Sequence, residues 1–342
     1  MSFCSADEIK AIEMSESGPP RYHNKDNCLR CGICYLVCPQ TDVLNEELNK
    51  RYDFKVSIGN WKKISSGQST SLDVLKKATD GGVVTSILMY LLDNNLINGA
   101  IVSKKEGIFN RVPFFATTKK ELIEAAGSHY DISQGLGKLE KYSTFIPTIT
   151  ELKKVVNTEQ MNIAVVGTPC QIHSIRKMQE LKILPAHIVK YCLGLFCNLN
   201  FSFREKERNS LESEHNFSFQ NVENINIKED MIINLVEDNE IHIKFDDLYE
   251  HARPACFACR DFSNVYADIS FGGLGSQEGF TTSIIRTETG EKIYRKALKE
   301  GYIAEPTEIN TSVKKSESLA KVITMEKKKY QRYEKTFKDK KL

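Results

Sequence analysis

Two hydrophobic rhythms alternate along the chain, and the places where one gives way to the other divide it. From Gly82 to Asn94, Val83, Val84, Ile87, Leu88, Leu91 and Leu92 recur at helical intervals. Short continuous apolar runs follow at Gly99–Ser103 and Pro113–Thr117, then a helical stretch at Lys119–Ala126. Asn162–Gly167 is a further continuous run, after which the turn Thr168-Pro169-Cys170-Gln171 opens a helix reaching about Leu181. His187–Leu195 is again strand-like. Continuous runs separated by helices fit strands buried on both faces. Between Asn221 and Phe245 the period shortens to two, with Ile225 and Ile227, Ile232 and Ile233, then Ile241 and Ile243. That spacing predicts an antiparallel hairpin region. Tyr266–Phe271 and Thr282–Arg286 predict two more strands, and the polar stretch Ser65–Ser71 reads as a loop. The fold class expected is an α/β core, a mixed sheet with flanking helices, accompanied by an antiparallel β hairpin region.

The flanks differ from this core. Residues 1–60 are polar and hold the densest cysteine cluster, and residues 311–342 end in the basic run Glu326–Leu342. Three regions are therefore expected: 1–60, 61–310 and 311–342. The tail reads as a solvated, loosely attached helix, or as a docking surface for an acidic partner or a membrane surface. A length of 342 residues suits one large core with a small appendage. Lys and Arg number 47 against 45 Asp and Glu, a balance that gives no support for nucleic-acid binding. The longest near-apolar stretch, Val83–Leu92, falls short of the ~20 residues that span a bilayer. Met1–Glu8 lacks the basic start and apolar run of a secretory signal, so a cytoplasmic protein is expected.

Ten cysteines change the picture. Cys28-x-x-Cys31-x-x-Cys34-x-x-x-Cys38-Pro39 is the bacterial ferredoxin run, whose thiolates wrap an iron–sulfur cube. Zinc sites more often pair two C-x-x-C knuckles across a longer loop. Gly32 lets the backbone approach the cluster closely. In two-cluster ferredoxins the Cys before Pro serves the other cluster, and this chain has no second such run. Cys38 is expected to close the same cube, with Cys4 as the substitute. The N-terminal region is accordingly a ferredoxin-like [4Fe-4S] segment.

The other cysteines are dispersed. Cys256 and Cys259 form a C-x-x-C pair that by itself fits a zinc knuckle or a redox dithiol. Cys170 and Cys197 fall at the carboxyl ends of expected parallel strands, where open α/β sheets assemble their sites. Together the four suffice for a second cube; equally, Cys170 and Cys197 fit small buried apolar residues. Cys192, mid-strand, reads as core.

Asp80-Gly81-Gly82 opens a helix, where exposed N–H groups and the macrodipole suit a pyrophosphate, with Thr85 and Ser86 as hydroxyl donors. Asp80 would repel phosphate and reads as a cap. Gly127, Ser128 and Tyr130 are suited to lie beside an aromatic cofactor. Gly272, Gly273, Gly275 and Ser276 form a second glycine-rich loop. No G-x-G-x-x-G stands in dinucleotide-binding context, so NAD is not expected. His129 and His173 read as ordinary satisfied histidines.

At this point the sequence resembles the beta subunits of coenzyme F420-reducing hydrogenase and dehydrogenase. The matching stretches are Ala78–Leu88, Ala126–Tyr130, Val166–Ile172, Gly194–Cys197, Cys256–Ser263 and Ala267–Ser276, running into Gly279–Thr282. The resemblance implies FAD in the α/β core, coenzyme F420 as substrate over its ring, and a [4Fe-4S] cluster held by Cys170, Cys197, Cys256 and Cys259. It also implies hydride transfer from reduced coenzyme F420 to FAD. Single electrons then pass through two [4Fe-4S] clusters to a redox partner protein or a membrane dehydrogenase complex. The N-terminal run is similar to that of the input subunit of the membrane-bound F420H2 dehydrogenase, which would give peripheral membrane association through the partner. Three rival readings remain: a ferredoxin-linked FAD reductase of another organic substrate, a flavin-free iron–sulfur electron-transfer module, and a zinc-stabilised binding protein.

Overall fold

The computed structural model describes residues 10–14, 20–55, 57–105, 111–127, 161–183, 186–201, 205–227, 230–236 and 239–338. Thirteen strands occur among them. β1 (Ile12–Met14) and β2 (Pro20–Tyr22) form a small antiparallel ribbon. β3 (Lys63–Ser69), β4 (Gly99–Lys105), β5 (Arg111–Ala116), β6 (Ile163–Gly167) and β7 (Val189–Leu195) enter the main sheet. β8 (Val222–Ile227), β9 (Asp230–Leu235) and β10 (Glu240–Lys244) make a separate antiparallel sheet. β11 (Ile269–Gly272), β12 (Thr281–Ile285) and β13 (Ile303–Ala304) return to the main sheet, whose order is β13-β3-β12-β11-β7-β6-β4-β5. β11, β7, β6 and β4 run parallel at its centre, and antiparallel strands flank them on both sides.

The mixed sheet with flanking helices and the separate hairpin sheet are the architecture expected from the two rhythms. Ala164 packs with the helix Val83–Asp93 cluster, while Ile163 and Val165 pack with Ile172 and Ile175 of helix Pro169–Glu180. Successive residues of one strand therefore feed opposite cores, which is why β6 is apolar at every position rather than at every second one. β9 instead buries Met231 and Ile233 on one face, against Phe201, Leu211, Phe219 and Leu248. β11 starts three residues later than the pattern predicts, because a turn closed by Ala267 N–H to the Asn264 carbonyl precedes it.

Two expectations are corrected. Ser65–Ser69 is not a loop but part of β3, in the sheet between β12 and β13. The serine hydroxyls are tolerated there because each finds a partner. Ser65 Oγ donates to Asn310 Oδ1 (2.8 Å), Ser66 Oγ bonds Ser276 Oγ (2.7 Å), and Ser86 Oγ donates to Ser69 Oγ (2.7 Å). The basic tail is not loosely attached either. Helix Ser312–Lys338 packs Val322 into a cluster with Ile58, Ile64, Phe262 and Ile284, and buries Glu326 and Lys329 as well. No helix among the described residues is long and apolar enough to cross a membrane.

Candidate functional site

The carboxyl ends of the parallel strands set the site. Beyond β6 the Gln171 side chain accepts from the Thr168 N–H (2.6 Å) and hydroxyl (3.0 Å), and Pro169 enters the first turn. This places Cys170 at the start of helix Pro169–Glu180, with the Thr168 hydroxyl 3.3 Å from its Sγ. Beyond β7, the Cys197 N–H donates to the Phe262 carbonyl (2.9 Å). Cys256 lies in the short helix Pro254–Phe257, where its Sγ accepts from the Asn200 N–H (3.4 Å), and Cys259 N–H donates to the Cys256 carbonyl.

The four thiols share one neighbourhood. Burial pushes Cys170 up to about 11, and Cys259 and Cys256 add to the shift. Burial likewise pushes Cys197 up to about 12; Lys329 opposes this while Cys256, Cys170 and Cys259 reinforce it. Cys256 is raised by burial and by Cys259. Cys192 is fully buried in β7 and belongs to the core, as its mid-strand position predicts. All nine cysteines among the described residues are free thiols. No three His, Cys, Asp or Glu side chains among them close on a single metal ion. Four thiols from three segments, with a backbone N–H already aimed at one sulfur, fit the cube.

The first set is built locally. Gly32 has φ 73°, where an L side chain is strained, and a Cβ there would meet only open space. It turns the chain into helix Ile33–Leu36, which carries Cys34, while Cys38 N–H donates to the Tyr35 carbonyl. Cys31 is exposed, and Cys28, Cys34 and Cys38 are half-buried. Cys4 lies outside the described residues.

The helix that carries Cys170 in its first turn also holds the first set. Lys177, fully buried, donates to the carbonyls of Cys38 and Thr41 (both 2.8 Å). His173 Nε2 meets Asn45 Oδ1 at 2.9 Å, and its ring lies 4.8 Å from that of Tyr266. Arg260, next to Cys259, pairs with Asp42. The two sets are thus fixed relative to each other by side chains adjoining their cysteines.

The glycine segments meet. A Cβ on Gly273 would lie 2.8 Å from both carboxylate oxygens of Asp80, and one on Gly81 would lie 2.7 Å from the Thr281 N. Chain-to-chain packing by itself leaves no room for a Cβ at either glycine. Asp80 is not the N-cap residue: that position is Gly82, at φ 69°. The Ser86 hydroxyl is engaged with Ser69 in the core, whereas Thr85 is half-buried. Ser276 joins Ser66 and Thr282 (2.6 Å) in a hydroxyl chain. Gly272 packs on the ring of Phe196, the residue before Cys197, and that ring stands 5.4 Å from Phe262. The second glycine loop and the second thiol set are therefore neighbours. Gly127 has φ 101°, while Ser128, His129 and Tyr130 lie outside the described residues.

Several organising residues escaped the sequence reading. Asn264 (φ 64°) donates through Nδ2 to the carbonyls of Gly167 and Leu195, joining the ends of β6 and β7 just ahead of Cys170 and Cys197. Arg176 pairs with Asp268 (3.0 Å), whose carboxylate also accepts from the Cys192 N–H. A lone Asn or a Lys in a basic helix carries no periodic signal. The burial stripe Val322, Glu326, Lys329 was the one available clue, and its polar members concealed it.

Thiols gathered at parallel strand ends beside glycine loops mark this as a redox protein of α/β architecture. Comparison with known families agrees. The chain belongs to the family of coenzyme F420 hydrogenase/dehydrogenase beta subunits, matching its N-terminal model over residues 64–140 and its C-terminal model over 160–311. It is similar to the beta subunit of the coenzyme F420 hydrogenase of Methanococcus voltae, 30% identical over 79% of this chain and 92% of that protein. The coenzyme F420-dependent sulfite reductase of Methanocaldococcus jannaschii is 32% identical over 83% of this chain, which spans only 44% of the reductase. One component of the F(420)H(2) dehydrogenase of Methanosarcina mazei is 26% identical over 81% of this chain and 72% of its own. The F420-reducing [NiFe] hydrogenase complex from Methanosarcina barkeri contains a chain of the same fold, with TM-score 0.72 and 28% identity over 84% of this chain and 95% of that one.

Proposed function

We propose that this chain is the coenzyme F420-oxidising component of an oxidoreductase, carrying FAD and two [4Fe-4S] clusters and delivering electrons to a partner redox protein or membrane dehydrogenase complex. FAD would supply the exchange between hydride and single electrons, and the clusters the one-electron path. Cys170, Cys197, Cys256 and Cys259 would hold one cluster, and Cys28, Cys31, Cys34 and Cys38 the other. The first turn of helix Val83–Asp93, entered through Gly82, offers backbone N–H groups and a positive dipole end to a pyrophosphate. Asn264 joins the strand ends ahead of Cys170 and Cys197, and the Phe196 ring beside Cys197 rests against Gly272 of the second glycine loop. No side-chain acid or base is assigned; the protein's contribution is alignment and exclusion of water.

The observation that carries this reading is the convergence of four thiols beside the glycine loop, in a fold shared with a chain of an F420-reducing hydrogenase complex. Anaerobically purified protein should release FAD on acid precipitation and contain iron and inorganic sulfide. Given reduced coenzyme F420, it should reduce an artificial one-electron dye. FAD without turnover of reduced coenzyme F420 would favour the reductase of another organic substrate. Clusters without flavin would favour the electron-transfer module, and colourless protein would sink all three.

A further inference from the structure

Helix Ser312–Lys338 lies beyond the residues matched by the family, yet it reaches the second thiol set. Glu326 accepts from the N–H groups of Phe262 and Ser263, each at 3.0 Å. Lys329 Nζ donates to the carbonyls of Cys197 (2.6 Å) and Asp261 (2.7 Å). Arg332 donates to Asn198 through both its side-chain oxygen (2.9 Å) and its carbonyl (3.0 Å). The Arg260 guanidinium lies 5.0 Å over the ring of Tyr333. One helix face therefore grips two separate pieces of chain: the end of β7, which carries Cys197, and the loop that follows Cys259.

A buried ammonium is costly unless something nearby compensates it. Lys327 and Lys328 reach solvent, while Lys329 is only 2% exposed, and its two hydrogen-bond acceptors are neutral carbonyls. Arg286, whose guanidinium also binds the Ser263 carbonyl and hydroxyl, holds the far side of the same loop.

We propose that the carboxyl-terminal helix is a clasp for the second cluster. Lys329 is its positioning residue: it joins the Cys197 strand end to the Cys256–Cys259 loop and sets a fixed positive charge beside the sulfurs. The inference rests on the cofactor reading above. It gives a task to a helix that the family match does not cover.

The test uses the full chain, purified anaerobically, as wild type, K329M, K329R and the solvent-facing control K328M. Two quantities are followed: release of iron to a chelator, and midpoint potentials from EPR-monitored titration. K329M should release the second cluster's iron about tenfold faster or more, the usual cost of losing a supporting contact around a metal site. Its second cluster should also titrate at a lower potential, because removing a positive charge favours the oxidised form. K329R should restore most of both properties, K328M should match wild type, and the first cluster should be unchanged throughout. A second cluster indifferent to K329M overturns the clasp alone. Wild-type protein that never holds a second cluster overturns the cofactor reading, and the clasp with it. Should K329M lose both clusters through misfolding, R332Q decides. Faster loss confined to the second cluster supports the clasp, and no difference from wild type overturns it.

Discussion

The two cysteine sets reach similar donor counts by opposite routes. Cys28, Cys31, Cys34 and Cys38 lie within eleven consecutive residues, and Cys31 is open to solvent. Cys170, Cys197, Cys256 and Cys259 come from three segments spread over ninety residues, and burial raises three of their thiols. The first set needs one turn of chain and a glycine with positive φ. The second needs a sheet, two parallel strand ends, a clamp at Asn264 and a helix from the chain's far end. A local site is expected to tolerate distant damage that an assembled site does not. The shared mountings Lys177, His173 and Arg260 are where the two sets depend on each other.

The largest effect expected is at the assembled set. C170S should remove roughly half the iron and lower F420-linked dye reduction by about 100-fold. C31S should remove a similar share of iron yet leave single-turnover oxidation of reduced coenzyme F420 intact. Equal loss in both variants would erase the functional difference between the sets. Next in size is K177M, which strips the Cys38 and Thr41 carbonyls of a buried charged donor. It should cost about 2–3 kcal/mol in urea unfolding and loosen residues 20–55 to limited proteolysis, while the second cluster's spectrum persists.

The pH response sharpens the comparison further. Burial, with Lys177 and Arg260 nearby, lowers His173 to about 3, so its ring is neutral in the fold. The unfolded chain takes up that proton near the ordinary histidine value of ~6.5. Below that pH the unfolded state binds more protons than the native one. The contribution of neutral His173 is therefore complete above ~6.5 and is lost as pH falls towards 3, at up to about 1.4 kcal/mol per unit. Unfolding midpoints measured from pH 7 to 4 should fall steeply for wild type and less so for H173Q. The smallest effect belongs to R260A. Its pair with Asp42 is partly exposed, so the expected loss is ~1 kcal/mol or less and should shrink further in high salt. A larger loss would mean that Arg260 is a principal joint between the sets.

Legibility followed the range of the interactions. Helix Val83–Asp93, the run Ile163–Gly167 and the alternating strands β8 to β10 were readable because burial imprints its period directly on the side chains. The Cys28–Cys38 spacing was visible for a different reason, that it lies within one short stretch of chain. Ser65–Ser69 was not, because hydroxyls can line a buried strand only when residues as distant as Asn310, Ser276 and Ser86 arrive to bond them. Glu326 and Lys329 looked like solvated charges until the loop after Cys259 supplied their partners.

By itself the sequence determined the α/β alternation, the parallel centre with its separate antiparallel sheet, and the presence of two groups of thiols. Only the tertiary structure decided which polar residues stand inside and that Gly272 rests on the neighbour of Cys197. It alone showed that the last helix reaches back over the second set. Pattern records how each segment divides itself between water and core. The hydrogen bonds that make a buried charge or hydroxyl tolerable come from residues far away along the chain, and no local spacing encodes them.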